Sequence, residues 1–461
     1  MDKFKVLKRN TIIIAIASLG SKVIGFILAP LYSYYMTISQ YGVMDIIITT
    51  VGLLLPLVTF NIYEATFRFT TGNKSDENQV LTLSLLATIV GLILSTIALP
   101  IIMHFTKMGE IVLLTYLLIF VESINFVLKQ FARGLGKVEE FAWNGIIASF
   151  ITLGFSLILM VLLHMGLEGY LITIIISYFL TNIYLFIRLK LWKCLIIKKI
   201  NWNILREMLR YSVPLMPITS MWWIINVSDR YVIGIMLGTA YNGIYAVASK
   251  LPSLLSVFED VFYQAWQMSA IKEASADGEN EFYSLIFNNY IIILTIGFTL
   301  LLVIVRPMVI YLFSNDYYDA WRYVPLLLVA TVFHALSGFL GVFYTVKKKP
   351  KGALISVIVG AGVNIALNII LIPLIGLMGA AVATIVAYII VTIYRFIDTK
   401  KFVTIALKEK YIVLMTFICL LQLVIYYLSF NFKIAIQLLI ASWIVVCNRR
   451  LILQLVKRNI S

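Results

Sequence analysis

Apolar runs of about eighteen residues or more recur along the whole chain, separated by short polar connections. A helix rises about 1.5 Å per residue, so each run is long enough to cross a hydrocarbon core about 30 Å thick. The pattern predicts fourteen spans, at 11–35, 42–66, 80–104, 110–130, 141–164, 168–190, 211–238, 243–268, 285–312, 321–345, 352–374, 376–398, 411–429 and 433–451. The fold class is therefore an all-α polytopic membrane protein.

An internal repeat organises these spans. Shifting 166–187 by 210 places GLEGYLITIIISYFLTNIYLFI over GLMGAAVATIVAYIIVTIYRFI, with nine of twenty-two positions identical. The identities include two glycines and the pairs Tyr178/Tyr388 and Tyr184/Tyr394. The same shift lays the span at 141–164 over that at 352–374, and QYGVM at 40–44 resembles YNGIY at 241–245. Six spans separate equivalents, so the copies face the same way. The expectation is two six-helix lobes related by a parallel repeat, at 1–190 and 211–398, plus two extra helices in 399–461. The connection 191–210 ends in NWNILREMLRYSVPLMP, an amphipathic surface helix running into a span that Pro214 and Pro217 break or kink at its start. Parallel repeats of this kind mark secondary transporters, with the substrate site expected between the lobes.

Charge sets the orientation. Apolar residues make up 61% of the chain and charged residues 13%, against about 25% in soluble domains. The net charge of +15 is no nucleic-acid signal, because the basic residues sit in alternate short connections. These include Lys3, Lys5, Lys8 and Arg9, then Arg68, Lys129, Arg133, Lys137, the segment from Arg188 to Arg210, KKKPK at 347–351 and the stretch Arg395–Lys410. The positive-inside bias places both termini in the cytoplasm. No cleavable signal peptide is read at the N-terminus. Cys194, Cys419 and Cys447 imply no disulfide framework.

Against that background, charges inside spans stand out. In MWWIINVSDRYVIGIMLG at 221–238, Asp229 and Arg230 lie deep in the seventh span. A charge there is costly and faces a partner or a wet cavity. Consecutive positions are about 100° apart on a helix, so at least one of the two should engage something besides the other. Lys22 lies mid-way along the first span and Lys250 lies in the eighth. Lys22, Arg230 and Lys250 together read as a basic central cavity for an anionic headgroup such as a diphosphate. The alternative is internal pairing, Asp229 with Lys250, and snorkelling of Lys22.

Asp229, Glu122 and Asp45 are the candidate cavity or coupling carboxylates, Glu122 being mid-span and Asp45 close to the end of its span. Glu259 and Asp260 approach the inner half of the eighth span. In FARGLGKVEEF at 131–141, Arg133 and Lys137, with Arg68 nearby, suit contact with lipid headgroups. His104, His164 and His334 are scattered without metal-ligand spacing, and no Walker loop occurs. No enzyme is indicated. A polymerase or ligase would need a sizeable outer loop.

These residues resemble a known family. GSKVIGFILAPLYSYYMTISQYG at 20–42, FARGLGKVEEFAWNGI at 131–146, LRYSVPLMP at 209–217 and SDRYVIGIMLGTAYNGIYAVASKLP at 228–252 are similar to bacterial polysaccharide repeat-unit (Wzx-like) flippases of the MATE-like exporter superfamily. The resemblance implies a substrate of oligosaccharide on undecaprenyl diphosphate, turned from the inner to the outer leaflet of the cytoplasmic membrane by alternating access. It implies a diphosphate site at Lys22, Arg230 and Lys250, no cofactor, and drive by an ion gradient, H+ or Na+. Its partners would be the lipid-linked oligosaccharide, membrane lipids and the downstream polysaccharide polymerase machinery, with the protein itself a monomer. A multidrug or organic-cation antiporter of the same fold is the rival, and would rely on carboxylates such as Glu122 or Asp45.

Overall fold

The computed structural model describes residues 20–71, 77–97, 100, 103, 109–195, 200–272, 278–347, 349–428 and 433–449. The basic N-terminal residues Lys3, Lys5, Lys8 and Arg9, and His104, lie outside the described residues. Among the described residues there is no strand, and nine helices are long and apolar enough to cross a membrane.

The first helices are α1 (20–35), α2 (Ile38–Val58), α3 (Ile62–Thr71), α4 (Glu77–Thr96), α5 (Gly109–Gly134), α6 (Val138–Leu162) and α7 (Gly166–Arg188). A capping box starts α2: Gln40 N donates to Thr37 Oγ1 at 3.2 Å, and Thr37 N to Gln40 Oε1 at 3.0 Å. The expected span at 42–66 is not continuous. Phe60 and Asn61 both take left-handed φ of 53°, and Asn61 N bonds back to Pro56 O at 2.7 Å. That ends α2, and the chain restarts as α3. Asn tolerates this conformation, but an apolar count is blind to it.

Then come α8 (Trp202–Ser212), α9 (Met216–Met236), α10 (Thr239–Lys250) and α11 (Pro252–Lys272). The expected span at 243–268 is likewise two helices. Pro252 has no N–H to continue α10 but suits the first turn of α11, and Ser253 Oγ bonds the Lys250 carbonyl at 2.6 Å. The remaining helices are α12 (Glu279–Leu312), α13 (Val324–Val346), α14 (Pro350–Ile375), α15 (Leu377–Thr399), α16 (Glu409–Tyr427) and α17 (Lys433–Cys447).

Packing divides the chain between Trp223 and Ile224, inside α9. Trp223 belongs with the first unit because its Nε1 donates to Thr49 O at 2.8 Å. In that unit α8 behaves as its amphipathic pattern predicts. Met208 is fully buried in a core shared with Ile62, Ala65, Val80 and Phe131, while Trp202 and Tyr211 stay exposed. The second unit is built on stacked aromatics: Trp266 lies 4.1 Å from Phe339, and Phe262 lies 3.9 Å from Tyr290. Here α16 and α17 dock on α12, with Ile418 and Ile444 against Ile296 and with Thr299 Oγ1 donating to Gln422 Oε1 at 3.0 Å.

The repeated glycines have a physical cause. Gly166 and Gly376 both take positive φ, 54° and 62°, where α7 and α15 begin. One turn on, a Cβ at Gly169 would meet Leu159 O at 3.3 Å, and one at Gly379 would meet Leu371 O at 2.4 Å. Small residues here let each helix pair close tightly.

Candidate functional site

Each unit holds a pocket of its own that charged and polar side chains enter. The first, of about 430 Å³, is lined from α1, α5, α6 and α7. Lys22 enters from α1 and Lys129 from α5, with Asn125, Asn144, Ser177 and Tyr178 around them. The buried amides are held in place. Asn125 Nδ2 donates to Asn182 Oδ1 at 2.9 Å and Thr181 Oγ1 at 3.2 Å, and Asn144 Nδ2 to the Thr181 carbonyl at 3.3 Å. The Lys129 ammonium lies 5.1 Å from the Phe126 ring centre and 5.6 Å from that of Phe141. Glu122 stands one hydrogen bond behind the wall, accepting from Tyr178 OH at 3.0 Å.

The second pocket, of about 150 Å³, lies among α9, α10, α11, α13 and α15. Asp229 and Arg230 line it with Asn226, Tyr245, Thr384 and Tyr388. Asp229 and Arg230 meet each other, and one of them also engages a partner outside the pair. Asp229 Oδ1 turns back to accept the Arg230 backbone N–H at 2.9 Å, and so reaches Arg230 Nη1 at 3.2 Å. Its other oxygen accepts from Tyr245 OH at 2.7 Å, which is the outside partner that the depth of the pair called for. The guanidinium also sits 5.7 Å from the Tyr245 ring centre. Tyr388 OH donates to Asn226 Oδ1. Behind this wall Ser228 Oγ and Asn368 Nδ2 both donate to Asn364 Oδ1, at 2.8 and 2.9 Å.

The structure therefore groups Lys22 with Lys129, and Asp229 with Arg230. Lys250 ends α10 and is not among the residues lining the second pocket. Asp45 is buried within α2 at 8% exposure rather than lying at a span edge. Arg68, Arg133 and Lys137 are exposed, with the Arg133 guanidinium 4.4 Å from the Phe67 ring centre.

Three charged or titratable residues with partners inside their unit are not singled out by the sequence pattern. Lys129 and Arg395 were assigned to basic connections because they lie near span ends. Yet Arg395 is 3% exposed inside α15, donating to Ser356 Oγ at 2.9 Å and the Ser337 carbonyl at 2.8 Å. His334, scattered in sequence, meets Glu259 with Nδ1 2.8 Å from Oε1.

A model of the polysaccharide biosynthesis protein family matches residues 7–267, more than half of the chain. The chain belongs to this family. No curated protein matches it by sequence. Its fold is shared with solved membrane transporters at low sequence identity. It superposes on the lipid II flippase MurJ in an inward closed conformation with TM-score 0.68 at 18% identity, covering 96% of this chain and 100% of that one. An inward-facing multidrug resistance MATE family transporter of the MOP superfamily gives TM-score 0.69 at 16% identity, covering 84% and 98%. The Vibrio cholerae MATE transporter VcmN gives 0.61 at 12%, covering 86% and 97%. The protein is thus a multi-pass membrane protein of the polysaccharide biosynthesis protein family, with the helical architecture that its hydrophobic pattern predicts.

Proposed function

We propose that this protein is a flippase for lipid-linked oligosaccharides, which moves an undecaprenyl-diphosphate-linked unit from the inner to the outer leaflet of the bacterial cytoplasmic membrane by alternating access. The observation that carries this reading is that two basic side chains, Lys22 and Lys129, line one pocket of about 430 Å³, with amides and hydroxyls set among apolar side chains in the rest of its wall. That is anion chemistry, and it suits a diphosphate far better than an organic cation. Membership of a polysaccharide biosynthesis family and a fold shared with a lipid II flippase point the same way.

In this reading Lys22 and Lys129 hold the headgroup in the first unit and Arg230 does so in the second, with Lys250 an accessory cation. The sugars use the amides and hydroxyls, while the polyprenyl tail stays in lipid. The charged headgroup and its sugars cannot cross unaided, because crossing would strip their hydration. Both termini are cytoplasmic, the exposed Arg68, Arg133 and Lys137 contact the anionic leaflet, and the protein works as a monomer that delivers substrate to polymerase machinery outside. Glu122, Asp45 and Asp229 are the carboxylates available for an ion gradient to act on.

The test is complementation. Arg230→Ala, inserted at wild-type levels, should fail to restore surface polysaccharide in cells lacking the protein. Normal polysaccharide from that variant would remove Arg230 from the site. A second reading, organic-cation antiport, draws on the hydrogen bond between Glu122 and Tyr178 behind the first pocket and on the MATE transporters that share the fold. It predicts that cation efflux survives neutralisation of both lysines.

A further inference from the structure

Glu259 on α11 and His334 on α13 form a carboxylate–imidazole pair inside the second unit. His334 Nδ1 lies 2.8 Å from Oε1 and 3.0 Å from Oε2 of Glu259. The carboxylate is 5% exposed, whereas the imidazole keeps 31% of its side chain accessible. His334 is ten residues into α13, about 15 Å along it, so the pair sits mid-span. A lone buried carboxylate there is costly, and a proton shared with histidine removes the net charge.

The pair is wired to the second pocket. The His334 ring meets Tyr388 of α15 edge to face, with centroids 5.0 Å apart. Tyr388 in turn lines the pocket and donates to Asn226 of α9, beside Asp229 and Arg230. Tyr290 of α12 and Tyr388 of α15 both lie within electrostatic reach of Glu259; around them stand Asp260 near Tyr290, Asp229 and Arg230 near Tyr388, and Arg395 near Tyr263. Among these groups His334 is the one imidazole.

We propose that Glu259 and His334 together are a proton-binding site, and that its occupancy couples a pH gradient to the state of the Arg230 pocket. With the proton bound, the pair is an imidazolium and a carboxylate with no net charge. When the proton leaves to water, the pair carries one negative charge next to Tyr388. A second anion near Arg230 then interacts unfavourably with it, so substrate occupancy and proton occupancy influence each other, as linkage requires. The energetic role rests on the flippase reading; the proton site itself does not.

The experiment uses the full-length protein in liposomes carrying a pH dye and an undecaprenyl-diphosphate-linked oligosaccharide, with and without an imposed pH gradient. Wild type should move protons, and its lipid exchange should rise several-fold under the gradient. In Glu259→Gln, which keeps the carboxylate's shape, and in His334→Gln, that ratio should fall to about one and the proton flux should vanish. The double variant should be no worse than either single change. Lipid exchange whose gradient response survives both substitutions overturns the proton site and leaves the flippase reading intact. Proton flux that needs both residues, without lipid exchange, upholds the site and overturns the flippase reading. Absence of both activities in wild type overturns both.

Discussion

Tyr178 and Tyr388, matched by the internal repeat, each line the pocket of their own unit, and each gives its hydroxyl to a polar side chain: Tyr178 to Glu122, Tyr388 to Asn226. The two acceptors come from different helices, Glu122 from α5 and Asn226 from α9. Tyr178→Phe removes one hydroxyl and leaves the Glu122 carboxyl without that donor. We expect a loss of about 1–3 kcal/mol, since an unsatisfied group inside a span has no water to turn to. A lowered unfolding temperature in detergent, recovered in Tyr178→Phe/Glu122→Leu, is the check; an unchanged melt in the single variant contradicts it.

Lys129 is the residue whose role changes most between sequence and structure. Lys129→Ala should weaken binding of a polyprenyl diphosphate by roughly 10- to 150-fold, corresponding to a charge-assisted contact of about 1.5–3 kcal/mol. Lys129→Arg should retain most of the affinity. Titration calorimetry on purified protein at two salt concentrations measures it, and equal affinity in Lys129→Ala and wild type rules the contact out.

Arg395 ties α13 and α14 to α15 through the Ser337 carbonyl and Ser356. Arg395→Ala should cost about 2–4 kcal/mol, because it deletes two charge-assisted bonds and opens a cavity. Gly341→Ala should lower stability as well, since its Cβ would stand 2.6 Å from Arg395 Nη1. Thermal unfolding followed by size-exclusion chromatography reports both. Melting at the wild-type temperature would show the guanidinium to be dispensable.

Met208 anchors α8 to the first unit. Met208→Ala should cost about 2–5 kcal/mol if the helix stays docked in the variant, and less if it lifts away. Limited proteolysis between α7 and α9 separates the two outcomes: faster cleavage means undocking.

Much of the fold was legible because a span has to be apolar over its whole length. That single constraint located the helices to within a few residues. It missed the breaks at Phe60–Asn61 and at Pro252, since two short helices end to end have the same composition as one long one. The amphipathic run that became α8 was readable because its polar face is continuous. For the site, Lys22, Asp229 and Arg230 announced themselves as charges deep in apolar sequence. Lys129 and Arg395 did not, because a basic residue near a span end has the ordinary explanation of a cytoplasmic connection. Glu259 and His334 are 75 positions apart on different helices, and only packing brings them together. Asp229 and Arg230 meet because the carboxylate curls back onto the following N–H, while the partner outside the pair that helical spacing called for is Tyr245.

The measurement that bears most directly on the central claim is leaflet exchange of an undecaprenyl-diphosphate-linked oligosaccharide in reconstituted liposomes, comparing wild type with Lys22→Ala, Lys129→Ala and Arg230→Ala. A lipid-diphosphate flippase with its headgroup site at these cations should give exchange by wild type and at least a tenfold loss in each variant. Wild-type vesicles that exchange no lipid, yet drive efflux of small organic cations that all three variants preserve, would contradict it.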